Sequence, residues 1–429
     1  MRPTVSRSCK SVTQRVLFAF EQFSRHEMAN HAAAGAYSFL LSAIPAVLVI
    51  IYISSIVVSS FDSSRILRLI GPVLDAFGGR ATLASFMATP LAGFTGAFGL
   101  INLIWAARLF VVSIQRGIRV VYADTATINQ VRESLLTFAV ELVIIIGVVL
   151  VMAASQVART LFETMEWTHA TAQPALALRT GFGLLPLVSL WLFVFLTYRN
   201  IPSHKPPTRI AALNAIICVV AYAIFGYFLG LTLNVERYGL LYGILGNLIA
   251  GLIKVYFFFW LYFFFAELGY TMEFFDSLLF ARFHRVSTAE KPAGRIERAL
   301  FAEPGRLFRR YAREFVAGQT IFARGDQDRS ALYLYKGSVD IDLVPPEERK
   351  GTPLSTVGEG EFFGEMAWML DEPRSAWATA SSDCTVFVLP PAVFERFLAQ
   401  DAGASMRLAR LLAERLKANN DARAGLAAR

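Results

Sequence analysis

Residues 362–376 read FFGEMAWMLDEPRSA, and this stretch carries most of the chemistry of the C-terminal third of the chain. Gly364 and Glu365 should open a short helix, whose unsatisfied amide groups and positive dipole end favour a phosphate. Arg374 lies nine positions after Glu365 and can form a two-pronged contact with phosphate oxygens, with Ser375 adding a hydroxyl donor. An ionised Glu365 only accepts hydrogen bonds, which suits a ribose hydroxyl. The stretch therefore predicts a sugar-phosphate site.

The sequence around this stretch has the pattern of a small antiparallel β-roll. Short apolar segments alternate with turn pairs such as Gly325-Asp326 and Lys336-Gly337. A helix over 295–301 precedes the strands, and apolar residues at three and four spacing over 392–398 and 406–416 predict closing helices. The predicted strands are 315–322, 331–335, 338–343, 354–357 and 385–389.

The segment 308–417 closely resembles cyclic nucleotide-binding domains, as in the catabolite activator protein and the regulatory subunits of protein kinase A. The resemblance implies that Glu365 binds the ribose 2'-hydroxyl and that Arg374, with Ser375 beside it, binds the cyclic phosphate. Ser375 favours cyclic AMP over cyclic GMP by the same likeness. The alternative is a roll that keeps this shape and binds no nucleotide. The resemblance also implies that the backbone of Gly364, Met366 and Ala376 lines the pocket.

Two further features follow from the resemblance. Met366 and Trp368 are heavier than the aliphatic residues usual in such domains, which predicts a narrowed pocket. In the family, the final helix closes over the base as a lid. The lid residues that are candidates for contact with the base, each with a solvated helix face as the alternative, are Arg410, Arg415, Asn419 and Asn420.

The composition excludes a single soluble domain. The 429 residues are 55% hydrophobic and only 17% charged, against about a quarter in soluble domains, and the mean hydropathy is +0.48. The apolar excess falls before residue 281, which predicts a membrane domain followed by a soluble one. In a membrane protein, a net charge of +8 is better explained by lysine and arginine in cytoplasmic loops, which set the membrane topology, than by nucleic-acid binding. Three cysteines without CxxC spacing, Cys9, Cys218 and Cys384, indicate neither a disulfide framework nor a zinc site.

Six stretches reach the length of about 20 apolar residues that a bilayer crossing requires. Arginine and lysine concentrate in the second and fourth loops and after the last span, so both termini are predicted to be cytoplasmic. We expect no signal peptide, and the spacing of Val12, Val16, Phe20 and Phe23 predicts an amphipathic helix on the inner membrane surface. The predicted spans are 33–59, 92–112, 134–155, 177–198, 209–231 and 240–266.

Polar residues inside apolar spans are costly, so each is a functional candidate. Glu141 and Lys254 are predicted at a similar depth, about 10 Å from the inner boundary at 1.5 Å per residue, and they could pair. These two residues either line a gate or ion pathway, or they form a structural ion pair or snorkel toward the membrane surface. Arg108 and Glu267 lie near cytoplasmic ends, where we expect them to reach interfacial water.

The N-terminal two thirds resemble the YihY/BrkB family of bacterial inner-membrane proteins over about residues 15–275. The likeness rests on HAAAGAYSFLLSAIP at 31–45, YRNIP at 198–202, and YGILG at 242–246 with AEL at 266–268. It implies a membrane bundle for which transport is the usual suggestion. Lys254 and Phe265 depart from the family pattern, which puts a shared mechanism for the last span in doubt. The family's older label, ribonuclease BN, is not favoured, because the five histidines show no metal-ligand spacing.

Together these patterns predict about six transmembrane helices followed by a cytoplasmic antiparallel β-roll with flanking helices. The predicted domains are an amphipathic segment at 1–32, a membrane domain at 33–275, a linker helix at 276–307 and a cyclic nucleotide-binding domain at 308–429. The favoured function is a transporter or channel-like bundle in the bacterial inner membrane, regulated by cyclic nucleotide. The alternative is a membrane-anchored scaffold whose roll recruits a partner.

We expect no enzymatic activity, because no P-loop, nucleophile elbow, HExxH motif or catalytic carboxylate pair occurs in the sequence. The expected ligands are cyclic nucleotide and the lipid bilayer, without a metal. Glycine-rich spans would permit a homo-oligomer. Too few residues follow the lid for a helix-turn-helix, so no nucleic acid partner is expected.

Overall fold

The computed structural model of the protein describes residues 4–42, 94–122, 172–232, 244–288, 294–301, 305–348, 352–401, 403–410 and 413. The chain divides into two compact units. One unit comprises residues 15–273, and the other combines residues 1–14 with residues 274–429.

Most of the described residues in the unit of residues 15–273 lie in long helices. Its helices are α1 (Thr4–Arg25, which begins in the other unit), α2 (28–42), α3 (Phe94–Val121), α4 (Ala172–Asn200), α5 (Thr208–Thr232) and α6 (Ile244–Glu273). Among the described residues, two stretches are long and apolar enough to cross a membrane, Thr208–Leu231 and Ile249–Glu273.

The first stretch coincides with the fifth predicted span, 209–231, whereas the second overlaps the sixth, 240–266, but begins nine residues later and ends seven residues later. The predicted spans 92–112 and 177–198 overlap α3 and α4, but neither helix meets the same criterion over its described residues. The predicted span 33–59 is described only as far as residue 42, and 134–155 lies outside the described residues. A membrane bundle of six helices therefore stays a prediction.

Aromatic residues of α6 form the core of this unit. Phe259, Tyr262 and Phe263 are each at most 1% exposed. The Tyr198 hydroxyl of α4 donates a hydrogen bond to the backbone oxygen of Tyr262 over 2.5 Å. A Cβ at Gly117 of α3 would collide with the Phe263 ring, so the absence of a side chain there allows the two helices to approach closely.

The C-terminal unit contains two four-stranded antiparallel sheets, which confirms the predicted β-roll. The order is β1-β8-β3-β6 in one sheet and β2-β7-β4-β5 in the other. Alternate residues such as Leu332, Leu334 and Val386 are buried in the core cluster. The strands are β1 (Ala312–Phe315), β2 (Thr320–Phe322), β3 (Ala331–Lys336), β4 (Val339–Asp342), β5 (Ser355–Val357), β6 (Phe362–Phe363), β7 (Trp377–Ala380) and β8 (Cys384–Leu389), with a 3-10 turn at Pro346–Glu348.

One predicted strand was wrong. The apolar segment 315–322 is not continuous, because β1 ends at Phe315, β2 begins at Thr320, and the two strands belong to different sheets. Gly318 in the intervening turn has φ +83°, a backbone conformation that favours glycine. The sequence reading also missed β6 and β7, which are short and, in β7, rich in small residues.

Helices flank the sheets at both ends. The predicted linker, 276–307, contains α7 (Phe275–Thr288), α8 (Arg295–Phe301) and the start of α9 (Gly305–Tyr311). The helix α10 (Glu365–Met369) follows β6, and α11 (Pro391–Gln400) and α12 (403–410) follow β8. The helix α11 confirms the closing helix predicted over 392–398, and α12 agrees with the one predicted over 406–416 as far as residue 410, beyond which only residue 413 is described.

The helix α7 packs onto the sheet that contains β3 and β8. Because side chains alternate along a strand, Tyr333 and Phe387 point away from the core cluster and meet this helix. Phe280 and Phe283 of α7 are at most 1% exposed, and the Phe280 ring lies 5.5 Å from Tyr333 and 5.1 Å from Phe397 of α11. The helix that follows the last apolar span is thus part of the hydrophobic core of the roll unit.

An acidic residue in the first turn of α7 ties this helix to α9. Asp276 accepts hydrogen bonds from Arg306 Nε at 2.5 Å, Arg310 Nη1 at 2.8 Å and the Tyr311 hydroxyl at 2.9 Å. The Asp276 side chain is only 12% exposed. Burial and the neighbouring Asp276 raise the pKa of Tyr311 to about 12, so this hydroxyl stays protonated at physiological pH and donates a hydrogen bond to the carboxylate.

Candidate functional site

The backbone turn between β6 and α10 needs glycine. Gly364 has φ +69°, in the left-handed region. A Cβ at this position would lie 2.5 Å from Nη1 of Arg374, and 3.0 and 3.2 Å from atoms of Leu332 and Phe322. Gly364 therefore lets the backbone turn into α10 and leaves room for the arginine side chain.

Arg374 is held in place by backbone carbonyl groups. The residue is 3% exposed; Nη1 donates a hydrogen bond to Gly364 O at 2.5 Å, and Nη2 donates one to Ser330 O at 2.7 Å. The guanidinium also lies 4.4 Å from the centre of the Phe322 ring. Its Nε is buried and has no hydrogen-bond partner among the described residues. The site thus presents a buried, oriented cation with a donor to spare.

Acidic residues support this cation. Burial lowers the pKa of Arg374, and the charges of Asp328, Asp326 and Glu365 oppose that shift. Burial alone would raise the pKa of Asp328, but hydrogen bonds from Ser330 and the charge of Arg374 bring that pKa below its usual value. Asp328 Oδ2 lies 3.5 Å from Arg374 Nη2. The arginine is therefore balanced by carboxylates, and a bound anion would compete with them.

The other predicted site residues surround Arg374 in the same turn. Glu365 begins α10 and is fully buried, and Ala376 is half-buried. Met366 is 37% exposed, and Ser375 is exposed to solvent. The structure thus brings Gly364, Glu365 and Arg374 together, while Met366 and Ser375 face solvent beside them.

The two heavier residues of the stretch have different surroundings. Trp368 is half-buried and packs edge-on against Phe394 of α11, with ring centres 5.2 Å apart. The bulk of Trp368 is thus accommodated against a helix of the same unit. Met366, in contrast, is exposed to solvent.

The predicted lid is described only in part. Arg410 is exposed at the end of α12. The other predicted base-contacting residues, Arg415, Asn419 and Asn420, lie outside the described residues, so their role stays a prediction.

The predicted polar pair of the helical unit is also described only in part. Lys254 is exposed on α6, and Glu141 lies outside the described residues, so their pairing stays a prediction. Arg108 of α3 is exposed. The expectation for Glu267 was wrong: this residue is 0% exposed, and its Oε1 lies 2.6 Å from Nδ1 of His26. The sequence did not indicate this pair, because 241 positions separate its members.

Sequence reasoning also missed the residues that hold the arginine and the helix that supports the turn. Ser330, Asp328 and Phe322 contact Arg374 but carry no recognisable motif. Phe362 of β6, two positions before Gly364, packs against His284 of α7 with ring centres 5.6 Å apart. Across the described residues, no group of three or more His, Cys, Asp or Glu side chains could hold a metal ion.

Comparisons with known proteins match both halves of the chain. Residues 19–276 match the family model described as virulence factor BrkB, and residues 312–401 match that of the cyclic nucleotide-binding domain. The cAMP-activated global transcriptional regulator Vfr of Pseudomonas aeruginosa is 29% identical over 111 residues, which cover 25% of this chain and 51% of Vfr. The cAMP-dependent protein kinase regulatory subunit of Eremothecium gossypii is 37% identical over 81 residues, 19% of this chain and 16% of that protein.

The similarity to these two relatives is confined to one domain. The chain spans about half the length of Vfr and a smaller part of the kinase subunit. Among solved structures, the EAL enzyme Bd1971 in its halfsite-occupied form is 31% identical and covers 25% of this chain and 96% of that chain, with a TM-score of 0.21.

Proposed function

We propose, for a chain that belongs to the virulence factor BrkB family and carries a cyclic nucleotide-binding domain, that cyclic nucleotide binding controls a transporter or channel-like bundle. The nucleotide binds at the turn of residues 364–376, and cyclic AMP is preferred. The bundle lies in the bacterial inner membrane with both termini in the cytoplasm.

The chemistry of the turn supports binding of a cyclic sugar phosphate. Arg374 is buried, and its Nε carries an unused donor among the described residues, which suits a phosphate oxygen. Glu365 is buried beside it and suits the ribose hydroxyl. Two relatives that match this domain are named for their response to cyclic AMP, and the exposed Ser375 is consistent with that preference by resemblance.

The single observation that carries regulation is the packing of α7. The apolar helix α6 ends at Glu273, and α7 begins at Phe275 after one intervening residue. In α7, Phe280 and His284 contact Phe362, which lies two positions before Gly364 in the chain. A change at Gly364 or Glu365 therefore acts on β6, then on α7, and then through the chain on α6.

This route does not pass through the segment 295–312, which contains α8 and α9. There, Arg282 of α7 forms a 3.1 Å ion pair with Glu297 of α8, so α8 supports α7 from the side. By thermodynamic linkage, nucleotide shifts the membrane bundle only if it binds its two states with different affinity. The aromatic contact of α7 with β6 provides a physical means for such a difference.

Titration of the full-length chain in lipid nanodiscs with cyclic AMP and cyclic GMP tests the binding step. We expect saturable binding that Arg374→Ala abolishes and that the exposed Arg309→Ala of α9 leaves unchanged. Equal binding by Arg374→Ala would contradict the proposed site.

Flux of a panel of ions and small solutes in reconstituted vesicles tests the regulated step. We expect flux that changes on addition of nucleotide in the wild type and stays constant in Arg374→Ala. Binding with no flux under any condition would contradict the transport proposal and favour the scaffold, whose roll recruits a cytoplasmic partner.

A further inference from the structure

A buried carboxylate lies near the end of the apolar helix α6, where a charge is costly. Glu267 falls within the membrane-crossing candidate Ile249–Glu273 and is 0% exposed. Its Oε1 lies 2.6 Å from Nδ1 of His26, which occupies the turn between α1 and α2. An intramembrane acidic residue with a named partner is a functional site by default.

The surroundings of Glu267 favour uptake of a proton. Oε2 is buried and has no hydrogen-bond partner among the described residues, so a single ring nitrogen is the one described hydrogen-bond partner of this carboxyl group. A buried carboxylate with one donor is under-satisfied, because an ionised carboxylate accepts several hydrogen bonds. The Oγ1 of Thr271 and the Oδ1 of Asn214 are likewise buried without a described hydrogen-bond partner. The site is therefore polar yet short of donors.

The partner histidine connects this site to water. The His26 side chain is 20% exposed, whereas the Glu267 side chain is 0% exposed. An imidazole has two ring nitrogens, so one can exchange a proton with solvent while the other faces the carboxylate. Among the described contacts of Glu267, His26 is the one that is partly exposed to water and also has a second nitrogen to face the carboxylate.

We propose that His26 and Glu267 form a proton-binding site of the helical unit, with His26 as the relay to water and Glu267 as the buried acceptor. In the transfer step, the Nδ1–H bond of a protonated His26 breaks and an O–H bond forms at Glu267 Oε1. The imidazolium becomes a neutral imidazole and the carboxylate a neutral acid. The proton enters before this step, when Nε2 of the neutral Nδ1–H ring takes it from hydronium in the surrounding water and gives the imidazolium. After the transfer Nε2 keeps that proton, and the Nδ1 lone pair accepts a hydrogen bond from the O–H of Glu267.

Other titratable groups face this pair. From the turn and α2 these are Glu27 and His31, and the His31 ring feels the charge of both Glu27 and His26. From the end of α3, the Tyr122 hydroxyl feels the charges of Glu267 and Glu273. Glu273 itself is paired with His204 at 3.1 Å. The titration of the site therefore includes these neighbours, and Glu27, which is exposed beside His26, provides the matched control.

This proposal goes beyond nucleotide control and does not depend on it, because all of its residues lie in the unit of residues 15–273. If the bundle transports a solute, the site makes protons the coupling ion.

Infrared difference spectroscopy of the full-length chain in lipid vesicles, between high and low pH and without nucleotide, tests the proposal. A protonated carboxyl in an apolar site has its own carbonyl stretch, distinct from that of an exposed acid. We expect this band in the wild type and in Glu27→Gln, and its loss in Glu267→Gln, which keeps an oxygen acceptor for His26. A band that survives in Glu267→Gln, or that is absent from the wild type at every pH, would overturn the proposal.

The relay is tested separately with a pH-indicator dye after a rapid pH jump. We expect His26→Gln to keep the carboxyl band and to slow proton uptake at least tenfold, and Glu27→Gln to leave the uptake rate unchanged. An unchanged rate in His26→Gln would contradict the role of His26. Since no nucleotide is present, these outcomes are independent of those for cyclic nucleotide binding.

Discussion

Acidification should loosen the contact between α7 and the roll, because His284 is buried there as a neutral ring. His284 is 2% exposed, and the rings of Phe280, Tyr333 and Phe397 surround it. Burial and, next, the charge of Arg407, whose Nη2 lies 3.5 Å from Nδ1, lower the pKa of His284 from 6.5 to about 4. Asp401, 3.9 Å away, opposes this shift only in part.

The sign follows from proton uptake. With α7 packed, His284 binds a proton only near pH 4. Once α7 is released, the pKa of His284 returns toward 6.5, so the ring binds a proton more readily. Low pH therefore favours the released state, and packing free energy is lost as the pH falls from about 6.5 toward 4. One pKa unit corresponds to about 1.4 kcal/mol, so the full loss is about 3 kcal/mol and the loss between pH 7 and pH 5 is about 2 kcal/mol.

Hydrogen exchange of backbone amides in α7, in the full-length chain, measures this effect. After correction for the intrinsic pH dependence of exchange, we expect the α7 amides to lose about 2 kcal/mol of protection from pH 7 to pH 5. His284→Phe should retain an aromatic contact and lose most of that pH dependence. Equal pH dependence in the wild type and His284→Phe, or none in either, would refute the reasoning.

Four further changes test the site and its connections. Gly364→Ala, with φ +69° and a Cβ 2.5 Å from Arg374, should cost about 1–2 kcal/mol of stability and weaken nucleotide binding at least tenfold in a calorimetric titration. Arg374→Lys should weaken binding almost as much as Arg374→Ala in the same titration, because lysine offers no two-pronged contact. Phe280→Ala removes a ring that is 0% exposed, so thermal unfolding should show a loss of about 3–5 kcal/mol from the roll unit. Asp276→Asn, whose arginine partners are 40% and 58% exposed, should cost only about 1 kcal/mol in the same measurement.

Local patterns predicted the roll and its turn well. The residues of 362–376 that sequence chemistry singled out lie in one turn, and Gly364 and Arg374 are joined by a hydrogen bond. This success has a physical reason, since a glycine in the left-handed region, a helix start and an arginine nine positions on are all constraints between near neighbours. The first closing helix, and the second as far as residue 410, were predicted correctly for the same reason.

Contacts between distant positions could not be predicted from the sequence. Arg374 is held by Ser330, 44 positions away, and His284 meets Arg407 across 123 positions. Glu267 was expected in interfacial water because its depth was counted along one helix, whereas His26 from another part of the chain covers it. The prediction of a single strand over 315–322 was wrong, because strand periodicity does not show which sheet each half of the segment joins.

The most direct test of regulation is hydrogen exchange of the full-length chain in nanodiscs, with and without saturating cyclic AMP, in the wild type and in Arg374→Ala. We predict that the nucleotide changes exchange in the turn at 364–376, in α7 and in the C-terminal part of α6, and that Arg374→Ala abolishes all three changes. Nucleotide-dependent protection at the turn with unchanged exchange in α7 and α6 would contradict regulation of the membrane bundle.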